Sequence, residues 1–325
     1  MDPRLLYNQA VGFQRAGDLV AAERIYVQML VAEPGNATVL HMLGLVRHQQ
    51  GRHAEALDLI GKVVQHSPGN PQAQSNYGKV LLALGQFREA LVSFERALAL
   101  KPDYEKALFN RGDALRLLGR QEDAIASYDA ALVLKPENAA ARFGRAAALL
   151  QLGRLEAALA GYEAGLAQRP DHAEALVARG TILLQLLRFA EALASFDLAL
   201  AANPDNADGF NNRGFVFFSM NCLAGALADF ESALAIDPRH AEALNNRGTV
   251  LGRLGRRDEA MASYDALLAI QPDHHRAADN RRKLLAREEE DAPGSDYADA
   301  PAVSSGSLRR DLRDFEESLL LYESF

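Results

Sequence analysis

Apolar residues recur at three- and four-residue intervals along most of the chain, and Gly or Pro breaks the pattern at regular points. That interval is the helical one. Ala and Leu dominate the apolar set, which favours helix over strand. The C-terminal stretch shows the pattern plainly, with Leu308, Leu312, Phe315, Leu319, Tyr322 and Phe325 spaced by four, three, four, three and three residues. The expectation is an all-α protein of short helices.

The breaks are themselves periodic. Pro34, Pro68, Pro102, Pro136, Pro170, Pro204, Pro238 and Pro272 keep a constant spacing of 34 residues. In step with them run Ala22, Ala56, Ala90, Ala124, Ala158, Ala192, Ala226 and Ala260. A third ladder holds Gly44, Gly78, Gly112, Gly180, Gly214 and Gly248, with Ala10 and Ala146 at the same phase. A fourth is aromatic, Tyr26, Phe94, Tyr128, Tyr162, Phe196, Phe230 and Tyr264, with Ile60 as its exception. Proline stops a helix because it lacks an N–H and clashes with the preceding turn. Small residues inside helices let two axes approach closely, and the aromatic four residues after each Ala fills the space beside that contact. Gly17, Gly51, Gly85, Gly119, Gly153 and Gly255 mark the turn between the two helices of a unit, with Leu187 and Asn221 standing in elsewhere. Each unit is therefore helix, turn, helix, proline stop.

A period of 34 with small, small, aromatic and proline residues at these offsets resembles the tetratricopeptide repeat. The resemblance covers residues 3–274 as eight repeats: 3–36, 37–70, 71–104, 105–138, 139–172, 173–206, 207–240 and 241–274. It implies an all-α, right-handed superhelical solenoid of helix-turn-helix units. First helices would line the inner surface, second helices would back it, and stability would be a sum of unit and neighbour-interface terms.

One charge pattern is particular to this chain. Arg111, Arg145, Arg179, Arg213, Arg247 and Arg281 share one phase of the first helix. Sixteen residues before each stands an acid: Glu95, Asp129, Glu163, Asp197, Glu231 and Asp265. The early repeats lack both, with Val27 and Gly61 at the acid phase and Leu43 and Tyr77 at the Arg phase. Charges that come and go together predict ion pairs from one repeat's second helix to the next repeat's first.

Composition narrows the function classes. With 49% hydrophobic and 24% charged residues, the chain has ample core and is not a disordered polymer. The formal net charge of −8 comes without a block of Lys and Arg, which argues against nucleic acid. The single cysteine, Cys222, permits no intrachain disulfide framework and suits a reducing compartment. There is no apolar run of membrane-spanning length, and the N-terminus does not read as a signal peptide, so a cytoplasmic location is expected. His274 and His275 have no in-phase Cys or His to complete a metal site. Cys222 has no candidate base beside it. The glycines belong to the repeat rather than to a phosphate loop. No enzymatic activity, metal or cofactor is expected.

After Pro272, residues 275–290 read as one more first helix with a polar outer face (Arg276, Lys283, Arg287), as a terminal cap requires. Residues 291–307, rich in acid, Ala, Pro, Ser and Gly, read as a flexible linker. Residues 308–325 resemble a second helix that ends partway: Leu312, Phe315, Leu319 and Tyr322 parallel Leu84, Phe87, Leu91 and Phe94. Either the chain is shortened from a longer repeat protein or this segment is ligand-like. A free amphipathic helix seeks an apolar surface, and self-association through 308–325 is one outcome.

The sixth position of the repeats carries Asn8, Asn76, Asn110, Asn212 and Asn246, interrupted by Met42, Gly144 and Ala178. An Asn amide both donates and accepts, so it can pair with a ligand backbone whatever its sequence. In this respect the chain is similar to the repeat domain of O-linked N-acetylglucosamine transferases and their bacterial relatives, where an asparagine ladder holds substrate polypeptide. The chain lacks room for their catalytic domain, so the resemblance implies no transferase activity. The other reading of these asparagines is ordinary helix surface. Nearby lie Arg15, His48, Lys79, Arg116 and Arg253 against Asp113, which favours an acidic or carboxylate-bearing partner. Phe109, Phe143, Phe215 and Phe218 are either apolar anchors or packing between helices. The leading expectation is a scaffold that binds a peptide segment of a partner protein, with Asn8, Asn76, Lys79, Asn110, Arg116, Asn212 and Asn246 as candidate contacts. The alternatives are a substrate-recognition module of a glycosyltransferase-like system and a self-assembling scaffold.

Overall fold

Each proline of the 34-residue ladder stands just past the end of a helix. The computed structural model of the chain describes residues 2–290; the expected linker at 291–307 and helix at 308–325 lie outside the described residues. Among the described residues there are seventeen helices and no strand. They fall in two units, Met1–Gln168 and Arg169–Phe325.

The first unit holds five helix pairs. They are α1 (Pro3–Arg15) with α2 (Leu19–Ala32), α3 (Ala37–Gln49) with α4 (His53–His66), and α5 (Pro71–Ala83) with α6 (Phe87–Leu100). Then come α7 (Glu105–Leu117) with α8 (Gln121–Leu134), and α9 (Ala139–Gln151) with α10 (Leu155–Leu166). The second unit holds α11 (Ala173–Gln185) with α12 (Phe189–Ala202) and α13 (Ala207–Ser219) with α14 (Leu223–Ile236). It continues with α15 (Ala241–Arg253), α16 (Arg257–Ile270) and α17 (His275–Glu290). Within each unit a second helix packs on its own first helix and on the first helix of the next pair.

The starts and turns follow from local chemistry. Asn36, Asn70, Asn138 and Asn206 cap first helices by accepting backbone N–H bonds, and His172 and His240 do the same through Nδ1. Beyond the end of each first helix the third residue turns its N–H back to a carbonyl five residues earlier, as Asp18 does to Phe13 at 2.9 Å. That closure requires a left-handed residue between them. Gly17 takes it at φ 84°, while Leu187 and Asn221 are held there at φ 57° and 62°.

The small and aromatic ladders meet in the core. A Cβ added at Gly112 would lie 2.7 Å from Tyr128 Cε1, and one at Gly248 would lie 2.7 Å from Tyr264 Cε1. Glycine is what lets each ring lie flat against the facing helix. Phe94, Tyr128, Phe196 and Phe230 are all fully buried, and each such ring contributes about 1.5–3 kcal/mol of burial. The fifth repeat carries Ala146 instead of Gly. It compensates across the interface with Gly161, whose added Cβ would stand 2.9 Å from the Ala146 Cβ. The other side of that contact is Ser93, Ser127, Ser195 or Ser263 in most other repeats.

Ion pairs between repeats form at Arg145–Asp129 (2.6 Å), Arg213–Asp197 (2.7 Å), Arg247–Glu231 (3.7 Å) and Arg281–Asp265 (2.6 Å). Arg111 and Glu95 do not close to an ion pair, and Arg111 Nε is buried without a hydrogen-bond partner. The aspartate pairs are tight, the Glu231 contact is looser, and Glu95 is exposed. Arg179 with Glu163 would span the two units and stays an expectation from the repeat phase. The early repeats use a different junction. Arg47 and Arg52 reach Glu23 of α2 at 3.2 and 2.7 Å, and Gln50 donates to it at 2.9 Å. Burial opposes the Glu23 charge, but these donors outweigh it and hold its carboxyl below the usual range.

Candidate functional site

In the first unit α3, α5, α7 and α9 lie in a row, and in the second α11, α13, α15 and α17 do so. A row of parallel first helices presents the same repeat phases side by side, so residues 34 apart become neighbours on one face. Of the candidate asparagines, all but Asn8 on α1 fall on these rows, in different states.

Asn8 is exposed. Asn76 Nδ2 lies 2.8 Å from His41 Nε2 on the neighbouring first helix. Asn110 is only 8% exposed and makes no hydrogen bond among the described residues. In the second unit Asn246 Nδ2 donates to Asn211 Oδ1 at 3.0 Å, and Asn211 Nδ2 donates to Asn212 Oδ1 at 3.2 Å. Asn245 Oδ1 is buried without a partner. Asn211 is a link that counting the sixth position alone misses; it sits at the fifth. The signal was the doubled Asn211-Asn212 and Asn245-Asn246.

The second-helix tyrosines bring hydroxyls to the same rows. Tyr128 donates to Asp113 Oδ1 at 2.6 Å, and the Tyr264 hydroxyl lies 3.2 Å from Thr249 Oγ1. The choice of Tyr over Phe along the aromatic ladder was the sequence signal for this. Burial pushes the Asp113 carboxyl up, against the Tyr128 hydrogen bond and the Arg116 charge. Burial likewise raises Tyr128, with Asp113 adding to the effect, and pushes Tyr162 up to about 12.

Among the candidate cations Lys79 is exposed and Arg116 half-buried. His48 Nδ1 stands 3.1 Å from His53 Nδ1. Burial lowers the His48 pKa, and the Lys79 and His53 charges lower it further. Arg253 lies over the Phe218 ring at 5.0 Å and donates to Asn221 Oδ1 at 2.7 Å. The candidate phenylalanines pack on rings: Phe109 lies 6.0 Å from Tyr128, Phe143 6.1 Å from Tyr162, and Phe215 6.0 Å from Phe218. Among the described residues no three His, Cys, Asp or Glu side chains gather as a metal site. Nor is any helix there long and apolar enough to cross a membrane.

Family models of the tetratricopeptide repeat match residues 7–71, 78–139, 122–164, 143–207 and 217–275, and a second such model matches 47–108. None of the curated proteins matches the chain in sequence. Among solved structures, the Cut9–Hcn1 hetero-tetramer of the APC/C contains a chain 19% identical, with a TM-score of 0.62 over 86% of this chain. This protein spans 55% of that chain's length. PilF of Pseudomonas aeruginosa is 17% identical with a TM-score of 0.59, over 67% of this chain and 97% of its own. At these identities the likeness is one of fold. YrrB, described as a repeat protein of this kind with an unusual peptide-binding site, is 25% identical with a TM-score of 0.50 over 58% of this chain and 97% of its own. Helix pairs at a 34-residue period, glycine-on-ring contacts inside each pair and family models matching most of the length agree: the chain belongs to the tetratricopeptide-repeat family.

Proposed function

We propose that the chain is a non-catalytic scaffold in a reducing, cytoplasmic compartment, and that its first-helix rows hold an extended peptide segment of a partner protein. Asn110 carries the reading. The residue is only 8% exposed, yet its side-chain amide makes no hydrogen bond among the described residues. A ligand backbone amide supplies one donor and one acceptor, which is the complement an Asn side chain requires. The likeness to YrrB, which is described as having a peptide-binding site, supports the same reading.

Self-assembly through 308–325 is the weaker reading. At the phase where the repeats carry Gly or Ala, α17 carries Arg282, whose side chain is 76% exposed and lies 3.0 Å from Asp279. A second helix packing on α17 in the repeat manner would bring its aromatic ring onto Arg282 rather than onto a small residue.

The test is to replace Asn76, Asn110, Asn212 and Asn246 together by Ala and to map partner contacts by photo-crosslinking from position 79. Crosslinks to an extended segment, lost in the quadruple variant while its thermal midpoint stays close to the parent's, are the expected result. Unchanged capture by the variant would remove the ladder from the binding site.

A further inference from the structure

The first-helix row of the first unit changes character at α9. Where α7 carries Asn110, Asp113 and Arg116, α9 carries Gly144, Ala147 and Leu150 at the same phases. Gly144 is dictated by its neighbour, because a Cβ there would stand 2.6 Å from Tyr128 Cζ. Ala147 is half-buried and ends at its own Cβ. The wall is therefore bare here, and two second-helix tyrosines border it.

These tyrosines differ. Tyr128 spends its hydroxyl hydrogen on Asp113. Tyr162 has Ala147 and Leu150 where Tyr128 has Asp113 and Arg116. Its residue is only 6% exposed, yet its hydroxyl makes no hydrogen bond among the described residues. On the α7 side Arg116 forms no ion pair among the described residues, and its Nε is buried without a hydrogen-bond partner. Arg116 nevertheless acts on Asp113 and Tyr162 through its charge and on Tyr128 through its charge and a hydrogen bond, so the four groups share one neighbourhood.

We propose that this neighbourhood is a side-chain subsite for a carboxylate of the bound segment, an internal Glu or Asp held by the Arg116 guanidinium and the Tyr162 hydroxyl. The proposal deepens the peptide-binding reading and rests on it. Donors are in surplus here. Arg116 offers five N–H groups and accepts nothing, and the Tyr162 hydroxyl is unspent. The acceptor capacity of Asp113 is already partly used by Tyr128. A carboxylate matches a guanidinium fork in shape and charge, and such hydrogen bonds are roughly twice as strong as neutral ones. A cationic side chain drawn to Asp113 would have to approach Arg116 as well. Gly144 and Ala147 leave room beside Tyr162 for the incoming stem.

The probes are two capped octapeptides of Ala and Ser, identical except for a central Glu or Gln, titrated into the 15N-labelled full chain. The readout is the Arg116 Nε–Hε resonance, assigned by its loss in Arg116→Gln, together with the amides of α7 and α9. The Glu peptide is expected to shift these signals and to bind about ten-fold more tightly than the Gln peptide. Arg116→Gln should abolish the preference, and Tyr162→Phe should narrow it several-fold, with thermal melts checking that both variants fold. Equal binding of the two peptides, or a preference that survives Arg116→Gln, overturns the subsite and leaves the peptide-binding reading standing. Binding of neither peptide removes the subsite and counts against that reading too.

Discussion

Arg213 holds Asp229 through two hydrogen bonds, Nε to Oδ2 at 2.8 Å and Nη2 to Oδ1 at 2.7 Å, and with its remaining Nη1 reaches Asp197 of the preceding repeat at 2.7 Å. The arginine thus ties two repeats together from inside one of them. Asp229 is 5% exposed and stands where four other repeats carry Ser93, Ser127, Ser195 and Ser263. In the next repeat Arg247 makes the corresponding bond to Ser263 Oγ at 3.0 Å.

Removing Asp229 leaves a half-buried cation with one exposed partner. Asp229→Ala is expected to destabilise the chain by about 2–3 kcal/mol, somewhat below the usual cost of breaking a buried pair because Arg213 still reaches Asp197. Asp229→Ser should cost about half as much. Urea titration followed by circular dichroism measures both, and equal losses would show that the Arg247–Ser263 bond of the neighbouring repeat has no counterpart here.

Leu187 occupies a turn position that six other repeats give to glycine, at φ 57° and with 61% of its surface exposed. A non-glycine residue in that region costs about 1–2 kcal/mol, part of which glycine returns through the greater freedom of the unfolded chain. Leu187→Gly should therefore stabilise the chain by about 1 kcal/mol. Asn221→Gly at φ 62° should gain less, because Asn tolerates the left-handed region. The reading is a shift in urea midpoint at unchanged slope.

Gly112→Ala tests the glycine-on-ring contact. On an exposed helix this change would stabilise by about 1 kcal/mol. Here the new methyl group would lie 2.7 Å from the Tyr128 ring, which is fully buried and cannot retreat. Overpacking should win, with a net loss of about 1–3 kcal/mol. A gain in thermal midpoint would mean that the ring shifts freely.

The helices α3–α5 and the start of α15 should answer pH in opposite directions. His41 and His48 are both held below the usual histidine range, chiefly by burial. A depressed histidine contributes stability that is complete above its unfolded pKa of about 6.5 and is lost as pH falls from there through the folded value. Burial also opposes protonation of His240, but the Asp208 hydrogen bond and the charges of Asp208, Glu242 and Asp237 outweigh it, so its pKa is raised. That contribution is complete below about 6.5 and lost as pH rises through the folded value. Hydrogen exchange, corrected for the intrinsic rate, should show α3–α5 losing protection from pH 7.5 to 5.5 and the start of α15 gaining it. His48→Gln should flatten the first response.

The repeat fold was legible because its signals are local and recur in one dimension. Pro34 and its successors end helices by lacking an N–H, Gly17 and its successors close turns, and Gly112 with Tyr128 pairs a missing side chain with a large one. The departures were legible too, since Leu187 and Asn221 take the left-handed turn despite their side chains. The interrepeat charges were legible only in part. A spacing of sixteen residues is common to Arg145–Asp129, Arg247–Glu231 and Arg111–Glu95, yet the first closes to 2.6 Å, the second to 3.7 Å and the third forms no ion pair among the described residues.

By itself, then, the sequence determined the helix-turn-helix unit, its length and the phases that face the first-helix rows, because each of those depends on residues close along the chain. What the asparagines do was decided by the tertiary structure alone. Asn76 meets a histidine, Asn246 meets Asn211, and Asn110 meets no hydrogen-bonding group among the described residues, although Asn76, Asn110 and Asn246 share one phase. A side-chain amide is committed by the atoms that adjacent helices bring within about 3 Å of it, and that distance is fixed by packing between repeats.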